Sequence, residues 1–188
     1  MLPQDTSAQI RRFRTARYSG AWFPLESDRH ATRLRIESVL RADLSDPGGR
    51  LKVDHSGPEW LGNREIGLSY AHDQDSVLLV WTLDACPVGV DLEPVDRQTG
   101  HAVTELAERF FHPTESAALK RLPGILQTGA FLDLWLKKES VAKLTRKGLV
   151  YSLPLELDRL AEIEFEEPAL LPLGKRAVLA FYKKPIRA

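Results

Sequence analysis

The sequence predicts an α+β fold, and three observations carry that prediction. Helical periodicity is confined to residues 29–44 and 103–144. Alternating or continuous apolar runs, the mark of strands, occupy 51–93 and 153–181. The resulting order of helix, strands, helices, strands over 188 residues suits one compact unit in which each half contributes a helix and a small sheet.

Arg29 to Leu44 sets Leu34, Val39 and Leu40 among Arg33, Arg35, Glu37 and Arg41, a helix on a basic segment that Asp46-Pro47-Gly48-Gly49 ends. Leu51 and Val53 alternate with charged neighbours as a short strand, and His55-Ser56-Gly57-Pro58 interrupts regular structure as a loop. Ile66, Leu68 and Tyr70 alternate as an edge strand, whereas Val77-Leu78-Leu79-Val80-Trp81 is continuous and reads as a buried one. Within Val88 to Glu93, period two puts Val88, Val90 and Leu92 on one face and Gly89, Asp91 and Glu93 on the other, and Pro94 ends the strand. Val103, Leu106, Ala107 and Phe110 follow helical spacing, His112-Pro113 breaks it, and a second short helix runs from Thr114 to Lys120, closed by Pro123-Gly124. Phe131, Leu134, Trp135, Lys138 and Ala142 mark a long helix over 128–144, with Gly148 beyond its C-terminus. Leu153, Leu155 and Leu157, then Ile163 and Phe165, then Ala177 to Phe181 read as a closing β-meander.

Lys and Arg total 26 and Asp and Glu total 26, a balance that argues against a generic electrostatic nucleic-acid binder. Charge is nonetheless segregated. Residues 51–100 carry three basic against nine acidic side chains, while 1–50 carry nine against six and 101–150 eight against five. Basic segments around an acidic one suit a cation held between anionic substrates, or reflect scatter in surface charge. The single Cys86 cannot form an internal disulfide, Met1 to Asp5 begins no apolar leader, and Val77 to Trp81 is too short to cross a bilayer. A cytoplasmic protein without a membrane partner is expected.

Two constellations carry chemistry. Asp91 and Glu93 project together from a strand end, and such hard oxygen donors suit Mg²⁺ when substrate phosphates supply the remaining ligands; the bland alternative is two solvated acids. Glu139 and Lys143, four apart on one helix face, are either a surface ion pair worth a few tenths of a kcal/mol or a carboxylate and an ammonium aimed at a ligand. Together they supply three carboxylates and a lysine, enough to clamp a metal, orient a pyrophosphate and accept a proton from an attacking hydroxyl. No Walker loop or Rossmann glycine fingerprint is present, so phosphates would be held by side chains, with His55, His72 and His112 among the possible contacts.

Three motifs in order resemble the 4'-phosphopantetheinyl transferases, specifically the surfactin-synthetase-activating type. Gly89-Val90-Asp91-Leu92-Glu93 is similar to the family's G-[VI]-D-x-E, Arg109-Phe110-Phe111-His112-Pro113-Thr114-Glu115 to its R-F-F-x-x-x-E, and Trp135-Leu136-Lys137-Lys138-Glu139-Ser140-Val141-Ala142-Lys143 to W-[STC]-x-K-E-[SA]-x-x-K. The resemblance runs from about Ile66 to Leu157. It implies that Asp91, Glu93 and Glu139 bind Mg²⁺, or Mn²⁺, with the pyrophosphate of coenzyme A, that Lys143 neutralises a phosphate oxygen, and that Glu139, Lys143 and Asp91 form the catalytic set. Ser69, Tyr70, His72 and Arg33 would contact coenzyme A, with Tyr70 standing where the family has a histidine, and Gly57-Pro58 lacking the lysine of its G-K-P motif. The implied reaction is transfer of phosphopantetheine from coenzyme A to a serine of an apo acyl or peptidyl carrier protein, releasing 3',5'-ADP. The implied architecture is one monomeric unit over 1–188 whose two similar halves, about 1–93 and 94–188, are related by a pseudo-twofold. Two other functions are weighed: a non-catalytic carrier-protein-binding homologue, and a metal-dependent phosphodiesterase or nuclease, which the helical spacing of Glu139 and Lys143 and the balanced charge disfavour.

Overall fold

The computed structural model describes residues 10–97, 102–171 and 173–183, so the N-terminal Met1 to Asp5 lies outside the described residues. The fold is α+β. Strands β1 (Arg11–Arg14), β2 (Ser19–Pro24), β5 (Gly67–His72) and β6 (Ser76–Thr82) form an antiparallel sheet in the order β1-β2-β6-β5. Strands β7 (Val88–Pro94), β8 (Ile163–Glu166) and β9 (Lys175–Tyr182) form a second, ordered β7-β9-β8. The division expected at residue 93 passes through β7, which pairs along its length with β9.

Period two explains how the layers stack. Val77, Leu79 and Trp81 of β6 join Ala21, Phe23 and Leu68 in one core, against Ile36, Val39, Leu40 and Leu44 of α1 (Arg29–Leu44). Leu78 and Val80, on the opposite face, meet Val88, Val90 and Leu92 of β7 and Leu179 and Phe181 of β9 in a second core. The outer face of the β7-β9-β8 sheet is covered by α4 (Gly124–Thr145), whose Val141 and Leu144 pack with Ala180 and Ile163. The order is therefore helix, sheet, sheet, helix. β6 is buried at every position because it feeds two cores at once, with each fully buried aliphatic side chain contributing about 1.5–3 kcal/mol.

Local chemistry sets the boundaries. Asp28 caps α1 by accepting the Ala31 N–H at 2.8 Å, and Ser45 ends it in the left-handed region at φ 53°. Helices α2 (Val103–Phe110) and α3 (Pro113–Arg121) are separated at His112-Pro113, where proline takes the first helical position. Phe111, Phe131 and Trp135 stack in series, with centroids 5.1 Å and 6.0 Å apart, and lock α4 onto α2 and α3.

The structure departs from the sequence-based expectation at four places. β1 and β2 form although arginine-rich β1 has no apolar alternation; backbone pairing to β2, and β2 to buried β6, specifies them. The expected loop at 55–58 is a tight turn into a further strand, β4 (Gly57–Leu61), paired with β3 (Arg50–Asp54). Its Trp60 enters the α1 core and donates to Asp46 Oδ2 at 3.2 Å, which anchors the hairpin. α4 begins at Gly124 because Pro123 can precede a helix, so Pro123-Gly124 opens this helix rather than only closing the last. Leu153 and Leu155 lie between the one-turn α5 (Leu149–Ser152) and a 3₁₀ turn at Leu157–Arg159 that Leu157 opens, their alternation satisfied by packing without strand pairing.

Candidate functional site

A cleft of about 530 Å³ opens between the β3–β4 hairpin, β5, β7 and α4. Period two on β7 turns Asp91 and Glu93 away from the inter-sheet core and toward α4, while the four-residue spacing of Glu139 and Lys143 returns both to the same helix face. All four line this cleft, as do Ser69, Tyr70 and His72 on the opposite wall. Close approach of α4 to β7 depends on Gly89, where a Cβ would fall 2.0 Å from the Ser140 carbonyl oxygen and 2.5 Å from the Leu144 nitrogen.

Lys143 Nζ donates to Asp91 Oδ1 at 2.7 Å. Asp91 is 6% exposed, and its second oxygen, Oδ2, is buried with no protein hydrogen-bond partner. An unpaired buried carboxylate oxygen is costly unless something else coordinates it. Glu93 pairs with Arg97, whose guanidinium lies over the Trp135 ring, 5.5 Å from its centroid. Burial raises the Glu139 pKa, and the Asp91 charge raises it further against the opposing pull of Lys143 and Arg97. Asp91, Glu93 and Glu139 thus line one cleft, with the charges of Asp91 and Glu93 opposed by Lys143 and Arg97.

Hard carboxylate oxygens, one of them orphaned, fit a divalent cation in chemical type. Among the described residues, however, no three Asp, Glu, His or Cys side chains converge as a ready metal cage. Lys143 engages one Asp91 oxygen, and Arg97 engages Glu93.

Lys138, adjacent to Glu139, turns the other way. Its side chain is fully buried, with Nζ 2.6 Å from Glu115 Oε2 and donating to the Leu155 carbonyl at 2.6 Å, above the Phe111 ring. Glu115 Oε1 in turn accepts the Leu157 N–H at 3.0 Å. The two motif residues therefore latch α3, α4 and the 155–157 segment together and do not reach the cleft.

Ser69 is 2% exposed and accepts the Val90 N–H at 3.1 Å, so the residue expected to contact ligand also joins the two sheets. Tyr70 and His72 line both the main cleft and a neighbouring cavity of about 370 Å³ at the start of α1, and Arg33 lies in that second cavity. Sequence reasoning missed Arg97 and, as a cleft residue, Arg146. Arg146 ends α4 in the left-handed region at φ 57° and donates to the Pro58 carbonyl at 3.2 Å, fastening helix to hairpin across the cleft. Gly148, two residues on at φ 79°, marked the boundary but not the residue that forms the cap. No helix among the described residues is long and apolar enough to cross a membrane.

The family model of the 4'-phosphopantetheinyl transferase superfamily matches residues 87–185, which include β7, α4 and the acidic wall. A 4'-phosphopantetheinyl transferase of Bacillus subtilis is 40% identical over 78 residues, 42% of this chain and 32% of that protein. The 4'-phosphopantetheinyl transferase Sfp of Bacillus subtilis (strain 168) is 38% identical over 78 residues, with the same shares. The matched segment thus spans about a third of the length of these curated relatives.

Proposed function

The chain belongs to the 4'-phosphopantetheinyl transferase superfamily, and from that premise we propose that it transfers the phosphopantetheine group of coenzyme A to a serine of an acyl or peptidyl carrier protein. The observation that carries this reading is the buried, unpartnered Asp91 Oδ2 beside Lys143, in a cleft that Glu93 and Glu139 also line. In the reaction the serine oxygen bonds to the β-phosphorus of coenzyme A, the bond to the bridging oxygen breaks, and 3',5'-ADP leaves. Asp91, Glu93 and Glu139 would hold Mg²⁺ or Mn²⁺, which when bound supplies charge neutralisation for the pyrophosphate. Lys143 contributes a second positive charge that can turn from Asp91 to a phosphate oxygen. Glu139, with its raised pKa, takes the serine proton in its ionised form.

Nothing in this chemistry needs a covalent enzyme intermediate; positioning and electrostatic stabilisation suffice. Tyr70, His72 and Arg33, spread over two adjoining cavities, offer an aromatic ring, an imidazole and a guanidinium for the nucleotide end of coenzyme A. The same reading makes the protein a cytoplasmic monomer, consistent with its single cysteine. The test is intact mass of apo carrier proteins of fatty-acid, polyketide and peptide synthesis after incubation with coenzyme A and Mg²⁺, with EDTA as control. A metal-dependent gain of one phosphopantetheine is expected. No gain on any carrier from folded protein would overturn the reading.

A further inference from the structure

The turn between β5 and β6 is fastened from outside the cleft. Asp73 Oδ1 accepts the N–H groups of Asp75 at 3.1 Å and Ser76 at 3.0 Å and the Ser76 hydroxyl at 3.0 Å, which commits that oxygen to the turn. Its other oxygen, Oδ2, lies 2.6 Å from Lys175 Nζ on β9, and the same ammonium is 2.7 Å from Asp75 Oδ1. The Asp73 side chain is 4% exposed and that of Lys175 11%, so this pair is largely withdrawn from water, whereas Asp75 is 71% exposed. In the β7–β9 register Lys175 sits opposite Pro94, one step from Arg176 opposite Glu93. Lys175 thus connects β9, the strand paired with the one that bears Asp91 and Glu93, to the turn that follows His72 and contains Asp73, both on the facing wall, although it does not itself line the cleft.

We propose that Lys175 is a positioning residue, which fixes the separation of the two cleft walls and thereby sets affinity for the phosphate-bearing donor without touching it. This inference rests on the transferase reading above. Without the ammonium, the Asp73 carboxylate is left buried and unpaired, a state relieved by rotating toward water or taking up a proton. Either relief loosens the turn and displaces His72, its neighbour in sequence. The acids and Lys143 on the other wall stay in place, so binding suffers before the chemical step does.

Three variants test it, using the full chain, steady-state transfer with coenzyme A varied at saturating carrier protein, calorimetric titration of coenzyme A, and a melt of each variant. K175M is expected to raise KM and Kd for coenzyme A roughly tenfold, the consequence of an ångström-scale misplacement, with kcat nearly unchanged. K175R, which retains the charge, restores both constants, and D75N, which leaves the Lys175–Asp73 pair intact, behaves as wild type. If K175M does not fold, K175Q replaces it and is expected to raise both constants by a smaller factor. Unchanged constants in the folded variant, a fall in kcat without a rise in KM, or failure of K175R to rescue would overturn the assignment. A wild-type protein that neither binds coenzyme A nor modifies any carrier would bring down the transferase reading and this inference with it, whereas normal wild-type activity shared by all variants would bring down only the clasp.

Discussion

Replacing Lys138 by methionine separates a structural lysine from a catalytic one. The Lys138 side chain is 0% exposed, its ammonium is 2.6 Å from Glu115 Oε2, and it also donates to the Leu155 carbonyl. Burial lowers its pKa, and Glu115 opposes that shift without cancelling it. Methionine retains the volume but leaves Glu115, only 10% exposed, as an uncompensated buried charge. Breaking such a pair costs about 3–5 kcal/mol. At about 2–4 °C per kcal/mol for a chain of this size, the melting temperature should fall by roughly 6–20 °C. The double variant K138M/E115M removes both charges and should recover much of the loss, because the desolvation cost disappears with the pair. Calorimetric melts of the two single variants and the double variant give the coupling, and transfer rates at a temperature where all are folded give the function. Wild-type transfer by folded K138M is expected. A K138M protein that melts like wild type yet transfers nothing would refute the latch and place Lys138 on substrate.

E139Q addresses the raised Glu139 pKa. Because the folded value lies above the unfolded one, the stabilisation from the protonated group is present below the unfolded pKa and is lost as pH rises through the folded value. In melts without divalent ions, E139Q should therefore show a flatter decline over that range and melt higher than the wild type at neutral pH, while transfer is abolished; a lower melting temperature at neutral pH would contradict the assignment. D91N should fold but bind Mg²⁺ at least about tenfold more weakly by titration calorimetry, since it removes the charge that faces both Lys143 and the unpartnered oxygen position. G89A forces α4 off β7, because the new methyl meets backbone atoms that cannot swing aside; a loss of about 2–3 kcal/mol with impaired transfer is expected, and an unaltered melt would show that the close approach is not required.

Much of the site was legible because it is built from periodicities. Period two in Val88 to Glu93 already put Asp91 and Glu93 on one face, and the four-residue interval put Glu139 with Lys143. The helix read over 29–44 coincides with α1, since Asp28 and the turn after Leu44 are strong local signals. What stayed hidden depends on tertiary context. β1 is a strand of exposed arginines flanking a single half-buried phenylalanine, specified by its neighbour in the sheet. The leucines at 153, 155 and 157 mimic a strand because three alternating residues are too few to distinguish a period of two from packing around short helical turns. Arg97 and Arg146 act through contacts to Glu93 and to the Pro58 carbonyl that no spacing rule announces.

One hydrogen bond described above, from the Val90 N–H to the Ser69 hydroxyl, bears on why there is a cleft at all. β7 is the last strand of its sheet, and its backbone on that side finds a side chain where a neighbouring strand would otherwise lie. A hydroxyl holds two backbones farther apart than a ladder of amide-to-carbonyl bonds would. If β5 and β7 paired directly, the two sheets would fuse into one. The serine stands in for that ladder, and the two sheets it ties without merging face one cleft, which Ser69 lines from one and Asp91 from the other.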